Sequence, residues 1–261
     1  MDTVTAAARP AAPSPAACIN CGTTLQGRWC HACGQRAHTP RLTLPALAHE
    51  VPHAVLHVDR GIVPTVVGML RRPGQTINRY LEGQRARYFN PLTLLVLAAG
   101  LSALLYSAYP FQLAIESPAI DPRLAGRYAE FMRLNFKYYS LSLIFFLPAT
   151  ALITWCFFAG RGRAYGEHVV INTFILAMTT LIMIAAFPLL VSADRLGGLR
   201  LTWVAMSAAA MVYHLVALYA VFAASGSRLW TALRALASVA LYIVTVSVVP
   251  MLLFFLLYAR G

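Results

Sequence analysis

Charge is what this 261-residue chain has least of. Only 11% of its residues are Asp, Glu, Lys or Arg, against about 25% in an average soluble domain. Acidic residues are the scarcest, nine against 21 basic ones. So little charge cannot clothe a soluble domain, and 59% of the chain is hydrophobic. The composition is that of a membrane protein. The apolar segments hold no array of acidic residues such as an ion-coupled transporter carries. No nucleophile and no open metal site stands out, which weighs against an enzyme. Residues 1–17 lack an apolar core flanked by positive charge. They read as a disordered tail of Ala, Pro and Ser, and not as a signal peptide.

Cysteine is scarce too, but four of the five lie between positions 18 and 33. Cys18 and Cys21 form one C-x-x-C pair and Cys30 and Cys33 a second, with Gly22 and Gly34 directly after them. Glycine there lets each knuckle turn back on its sulfurs. Four thiolates so spaced fit one tetrahedral zinc ion, and a closed four-sulfur shell is structural, not catalytic. A reducing compartment disfavours disulfides, and a thioredoxin-like redox site needs a βαβ context that is missing. His31 is surplus to the shell. With only Arg28, Arg36 and Arg41 in or near this ribbon, nucleic acid is not its expected partner. The chain divides into the tail 1–17, a zinc ribbon 18–36, amphipathic interfacial helices with a basic collar 37–90, and a transmembrane helical bundle 91–261.

In the amphipathic region Leu44, Leu47, Val51, Val55 and Val58 recur at helical spacing, and Pro52 predicts a kink. Ile62, Val66 and Met69 continue the pattern beyond Asp59-Arg60-Gly61. These helices are too short and interrupted to cross a bilayer, so they lie at its surface or pack on the spans. His49, His53 and His57 form an i, i+4, i+8 row on the polar face, readable as a solvated face or as a second metal site. Arg71-Arg72-Pro73-Gly74 reads as a charged turn, residues 75–81 as a short helix, and Gly83 as its stop. The collar follows. Arg85 and Arg87 suit the phosphate level of an anionic leaflet, and Tyr88 and Phe89 the glycerol level. Asn90 caps the first span and Pro91 starts it.

Five apolar segments come next, at about 91–109, 138–159, 168–191, 201–224 and 236–258. Each approaches or exceeds the roughly 20 residues a span needs. With the N-terminus inside, 14 Arg and Lys fall on the inner side and seven on the outer. That bias fits a multi-pass protein of a bacterial inner membrane with a cytoplasmic N-terminus and an outer C-terminus. Pro148, Pro188 and Pro250 predict kinks. Ala205, Ser207, Ala208, Ala209 and Ala210 give the fourth span a small face for close packing. Asn172, Thr179 and Thr180 form a polar seam on the third span. His214 is an ionisable group in mid-span. Glu167 and His168 stand together at the start of the third span, where the helix dipole favours a carboxylate.

Several of these pieces, taken in order, are shared with a known family. CINCG and WCHACGQ, Asp59-Arg60-Gly61, Thr65, Arg72-Pro73-Gly74, Tyr80, the block 83–91 and Glu167-His168 make the chain resemble the bacterial membrane-protein family termed domain of unknown function 3667. The resemblance implies this architecture and brings no activity with it. Histidines at 49, 53 and 57 depart from the ordinary acidic or polar helix residues expected there.

The fold expected is therefore an all-α polytopic membrane protein of about five transmembrane helices with a small zinc-ribbon head. The leading functional expectation is a non-enzymatic protein whose ribbon and collar dock a cytosolic protein partner or anionic lipid. A transporter for a small or lipidic solute, using His214, Glu167 and His168, is the second. A lipid-headgroup enzyme, with Arg85, Tyr88, Glu167 and His168 at the inner interface, is the third.

Overall fold

The computed structural model describes residues 17–43, 61–109 and 122–258. Residues 1–16 of the tail, the segment 44–60 with its His49, His53 and His57 row, and residues 110–121 and 259–261 lie outside the described residues. Eight α-helices are described: α1 (Ile62–Arg71), α2 (Pro73–Leu81), α3 (Pro91–Ala108), α4 (Pro122–Phe157), α5 (Tyr165–Arg195), α6 (Leu199–Phe222), α7 (Arg228–Ile243) and, after a π-turn at Val244–Val248, α8 (Val249–Tyr258). No strand forms among the described residues; the ribbon contributes two isolated β-bridges, Ala17 to Thr24 and Trp29 to Arg36.

Among the described residues, four helical stretches are long and apolar enough to cross a membrane: Pro91–Ala108, Tyr165–Arg195, Leu199–Ser225 and Arg228–Leu252. The remaining segment of the expected five falls in α4, where the apolar part is shorter, Leu141–Phe157. The uncharged residues 138–140 just before it continue the same helix, and Arg127, Glu130 and Arg133 are exposed on turns further back. The apolar segment is the second half of one continuous 36-residue helix, which begins at Pro122.

The helices alternate in direction. α3 leaves the ribbon end of the bundle, capped by the Asn90 side chain, which accepts the amides of Leu92 and Thr93 at 3.0 and 3.2 Å. α4 returns, so that Phe158 stacks on Phe222 at the end of α6, ring centroids 4.0 Å apart. α5 leaves again through the middle, buried on almost every side from Gly166 to Thr180. α3, α4 and α6 surround it. At the far end the Tyr109 hydroxyl donates to Asp194 at 2.8 Å and ties α3 to α5.

α1 and α2 pack on the spans at the ribbon end. Arg72, the residue before Pro73, leaves the helical region at φ −146°, ψ 65°. The Pro73 ring imposes this on its predecessor, so the charged turn is a one-residue corner and Pro73 opens α2. Gly74 then lets α2 approach the backbone of α6. A Cβ on Gly74 would overlap the carbonyl of Ala220. Gly74→Val is therefore expected to force α2 off α6 and lower stability by about 2–4 kcal/mol, in the range of overpacked or strained core sites. Gly74→Ala is the milder version, and thermal unfolding in detergent ranks the two.

The small face expected on α6 divides in the structure. Ala210 is buried and Ser207 half-buried, whereas Ala205, Ala208 and Ala209 are exposed. A straight helix turns about 100° per residue, so five small residues spread over positions 205–210 cannot share one side.

Candidate metal centre and its anchor on the bundle

The ribbon is two copies of one turn. In the first, the Cys18 amide donates to Thr23 O and the Gly22 amide to Cys18 O; in the second, the Cys30 amide donates to Gln35 O and the Gly34 amide to Cys30 O, all at 2.8 Å. Gly22 and Gly34 have φ of 77° and 73°, the left-handed backbone that glycine adopts without strain. This repeat brings the four sulfurs together, all within 4.8 Å of one another. Cys18 to Cys33 and Cys21 to Cys30 are each 3.6 Å. An ion with metal–sulfur bonds of about 2.3 Å in tetrahedral geometry places its sulfurs about 3.8 Å apart. The donor set therefore fits a metal ion. The Thr23 hydroxyl and amide draw the Cys21 thiol down to about 6, while burial pushes Cys33 up to about 11. Ionised together, four thiolates this close would repel one another, and a cation among them would offset that repulsion.

Three residues fix the head to the collar and the bundle. Gln35 is 3% exposed, and its Oε1 accepts the amides of Arg85 at 3.1 Å and Ala86 at 2.8 Å. The Arg85 guanidinium donates to Pro40 O at 2.7 Å and sits 5.9 Å from the Tyr80 ring. Arg85 thus works inside the assembly. Tyr88 and Phe89 are buried in the bundle core instead of facing lipid, because Thr65 anchors the Phe89 amide at 2.7 Å and turns the collar inward. Arg87 remains exposed.

The third fixing residue, Arg41, reaches the start of α5. It donates to Gly162 O at 2.6 Å and lies 3.5 Å from the Glu167 carboxylate. Glu167 is 2% exposed. It accepts the Ala164 amide at 2.7 Å, which caps the helix, and pairs with Arg163 at 3.7 Å. Arg163 donates to Asn78 Oδ1 at 3.0 Å, and Asn78 in turn donates to Val221 O at 3.0 Å. One polar chain thereby joins the ribbon's tail, α5, α2 and α6. The approach is close: a Cβ on Gly166 would lie 2.5 Å from Leu42 O.

His168 takes no part in that chain, as expected of a helix neighbour pointing elsewhere. It is fully buried and stacks on Phe222 with centroids 5.5 Å apart. Its Nδ1 is 3.1 Å from Thr154 Oγ1, which also accepts Asn172 Nδ2 at 2.8 Å. Thr154 donates its own proton to Ala151 O at 3.0 Å. His168 Nδ1 therefore carries the hydrogen, and Nε2 presents a lone pair with no partner among the described residues. His214 belongs to neither group. It is buried against Tyr242, centroids 4.7 Å apart.

Sequence reading did not single out Gln35, Arg41, Asn78, Thr154 or Arg163. Gln35 had a signal, standing at the end of WCHACGQ. Asn78 and Thr154 had none, since their roles arise only when distant segments meet.

No curated protein and no solved structure matches the chain. Residues 59–102 do match a family model, and that segment holds Gly61, Thr65, Arg72-Pro73-Gly74, Tyr80 and the collar, the pieces that seat α1 and α2 on the bundle. Over that segment, and in agreement with the resemblance drawn from the sequence, the chain is similar to the family described as protein of unknown function (DUF3667).

Proposed function

We propose that this is a non-enzymatic multi-pass protein of a bacterial inner membrane, whose zinc-folded cytoplasmic head holds a basic collar against the anionic leaflet. The observation that carries the reading is the outer face of α1. Val63, Val67 and Leu70 are 70%, 40% and 56% exposed and recur at i, i+4, i+7. Arg71 and Arg72 follow immediately, both exposed, and Arg87 is exposed on the collar. An apolar stripe beside free guanidinium groups suits a helix lying at the headgroup boundary. Four sulfurs at tetrahedral spacing in a cytosolic ribbon support zinc as the ion. One zinc per chain is expected on elemental analysis of the purified protein.

Glu167 and His168, the pair invoked for headgroup chemistry, are spent on a helix cap, ion pairs and a ring stack, which supports the non-enzymatic reading. The carrier reading has one observation in its favour, a cavity at the far end of the bundle.

The test is lipid enrichment around the protein in nanodiscs of mixed phosphatidylglycerol and phosphatidylcholine. Each basic side chain at an anionic surface contributes about 1 kcal/mol. Arg71→Glu, Arg72→Glu and Arg87→Glu together should cut phosphatidylglycerol enrichment on the order of a hundredfold, with folding unchanged. Equal enrichment in the triple variant sinks the leaflet reading. Stable capture of a cytosolic protein through the same residues transfers them to partner docking.

A further inference from the structure

We infer that the cavity at the far end of the bundle binds one uncharged amphiphile, a long apolar molecule carrying a hydroxyl or carbonyl oxygen, of which a fatty alcohol is the simplest example. The cavity has a volume of about 400 Å³, within the range of small-molecule sites. It lies between α3, α4, α5, α6 and the π-turn, on the side away from the ribbon, because its α3 residues are Ser102 and Tyr106 in the second half of that helix.

Three features define what it would take. No lining residue is Asp, Glu, Lys, Arg or His. A charged ligand would leave its charge uncompensated at membrane depth, so the occupant is neutral. Hydrogen-bonding groups are nevertheless present on every wall, among them Ser102, Asn135, Thr180, Ser207, Tyr242 and Ser247. Between them stand Met183, Met211 and Met251, flexible thioethers that adapt to a chain of no fixed shape.

Thr180 shows where the oxygen goes. Several threonine hydroxyls of this bundle return to their own helix: Thr150 to Leu147 O, Thr154 to Ala151 O, Thr173 to Val169 O and Thr179 to Leu176 O; of the three buried ones with no partner among the described residues, Thr93, Thr180 and Thr231, Thr180 is the one on the cavity wall. Thr180 lines the cavity, is 3% exposed, and its Oγ1 makes no hydrogen bond among the described residues. A buried hydroxyl held away from the nearby backbone acceptors is a group waiting for a partner.

The opposite wall explains why the space exists. Pro250 has no amide to give the carbonyl of Val246, four residues before it. The helix relaxes into the π-turn Val244–Val248 at that point, which sets Val246 and Ser247 on the cavity wall. Single π-turns of this kind recur at functional sites.

The test uses the full chain in phosphatidylcholine nanodiscs with three diazirine-tagged probes of equal length: hexadecanol, hexadecane and hexadecanoate. Crosslinks are mapped by mass spectrometry. The alcohol is expected to label the peptides containing Met183 or Met211, and to be competed by untagged hexadecanol. Thr180→Val, nearly isosteric, should reduce that labelling about five- to tenfold, the worth of one hydrogen bond, without changing labelling by the alkane. Ala210→Trp should abolish cavity labelling, whereas Leu201→Trp, on the exposed face, should not. The inference is overturned if Thr180→Val leaves alcohol labelling unchanged, or if hexadecanoate labels the same peptides equally well. It is overturned too if labelling is confined to outward-facing positions, since bilayer acyl chains then account for the cavity.

Discussion

Cys18→Ser should strip the head of its ion and its fold together, while the helices survive. The ribbon has almost nothing else to hold it. Among its described residues only Cys18, Cys30, Ala37 and Leu42 are buried and apolar. Structural zinc supplies about 10–16 kcal/mol in small finger domains, so losing one of four thiolates removes most of the driving force. The consequence reaches the collar, because Gln35 would no longer accept the Arg85 and Ala86 amides. Trypsin reads the outcome. Arg28, Arg36 and Arg41 should become cleavable at least tenfold faster in Cys18→Ser, or in wild type under a strong chelator, with helical circular dichroism nearly unchanged. Equal protection in the variant would mean that the ribbon folds without its ion. Cys156→Ser is the control: that cysteine is exposed and no part of the cluster.

The elements whose purpose is local were legible in the residues. The cysteine knuckles, the Asn90 cap and the Gly83 boundary follow from backbone rules acting over a few positions and stand in the structure where those rules put them, whereas the helix expected from residue 75 starts two residues earlier, at Pro73. The long apolar segments were legible for the same reason, since composition alone sets them. What could not be read was which way ambiguous side chains turn. Tyr88 and Phe89 carry the composition of an interfacial belt, yet Thr65, 24 residues away, fixes the backbone so that both rings enter the core. Arg85 has the same history. As sequence it is a headgroup ligand; in the fold it is half-buried and one of its guanidinium N–H groups donates to Pro40 O. The polar seam on α5 also splits, because Asn172 meets Thr154 while Thr180 meets the cavity. Long-range pairing of this sort leaves no periodic trace.

Glu167→Ala tests whether the start of α5 is the joint between head and bundle. The side chain does three things at once: it caps the helix at the Ala164 amide, neutralises Arg163, and receives Arg41 from the ribbon's tail. Truncation leaves the amide without its acceptor and Arg163 facing Asn78 with an uncompensated charge. Removing one partner of a fully buried pair costs about 3–5 kcal/mol. Here the Arg41 side chain is 68% exposed and Arg163 22%, so solvent recovers part of that loss. A cost of about 2–3 kcal/mol is expected, a fall of about 5–10 °C in the unfolding midpoint for a chain of this size. Glu167→Gln separates the contributions, since it keeps an oxygen for the Ala164 amide and gives up the charge. It should recover the cap, about 1 kcal/mol, and leave Arg41 loosely held. Tryptic cleavage after Arg41 should then rise in both variants, while cleavage after Arg28 and Arg36 stays at the wild-type rate as long as the metal remains bound. That pattern distinguishes an undocked but folded head from the unfolded head of Cys18→Ser. If cleavage after Arg41 is unchanged in both Glu167 variants, the Gln35 contacts alone hold the ribbon in place and Glu167 serves only the helix it caps.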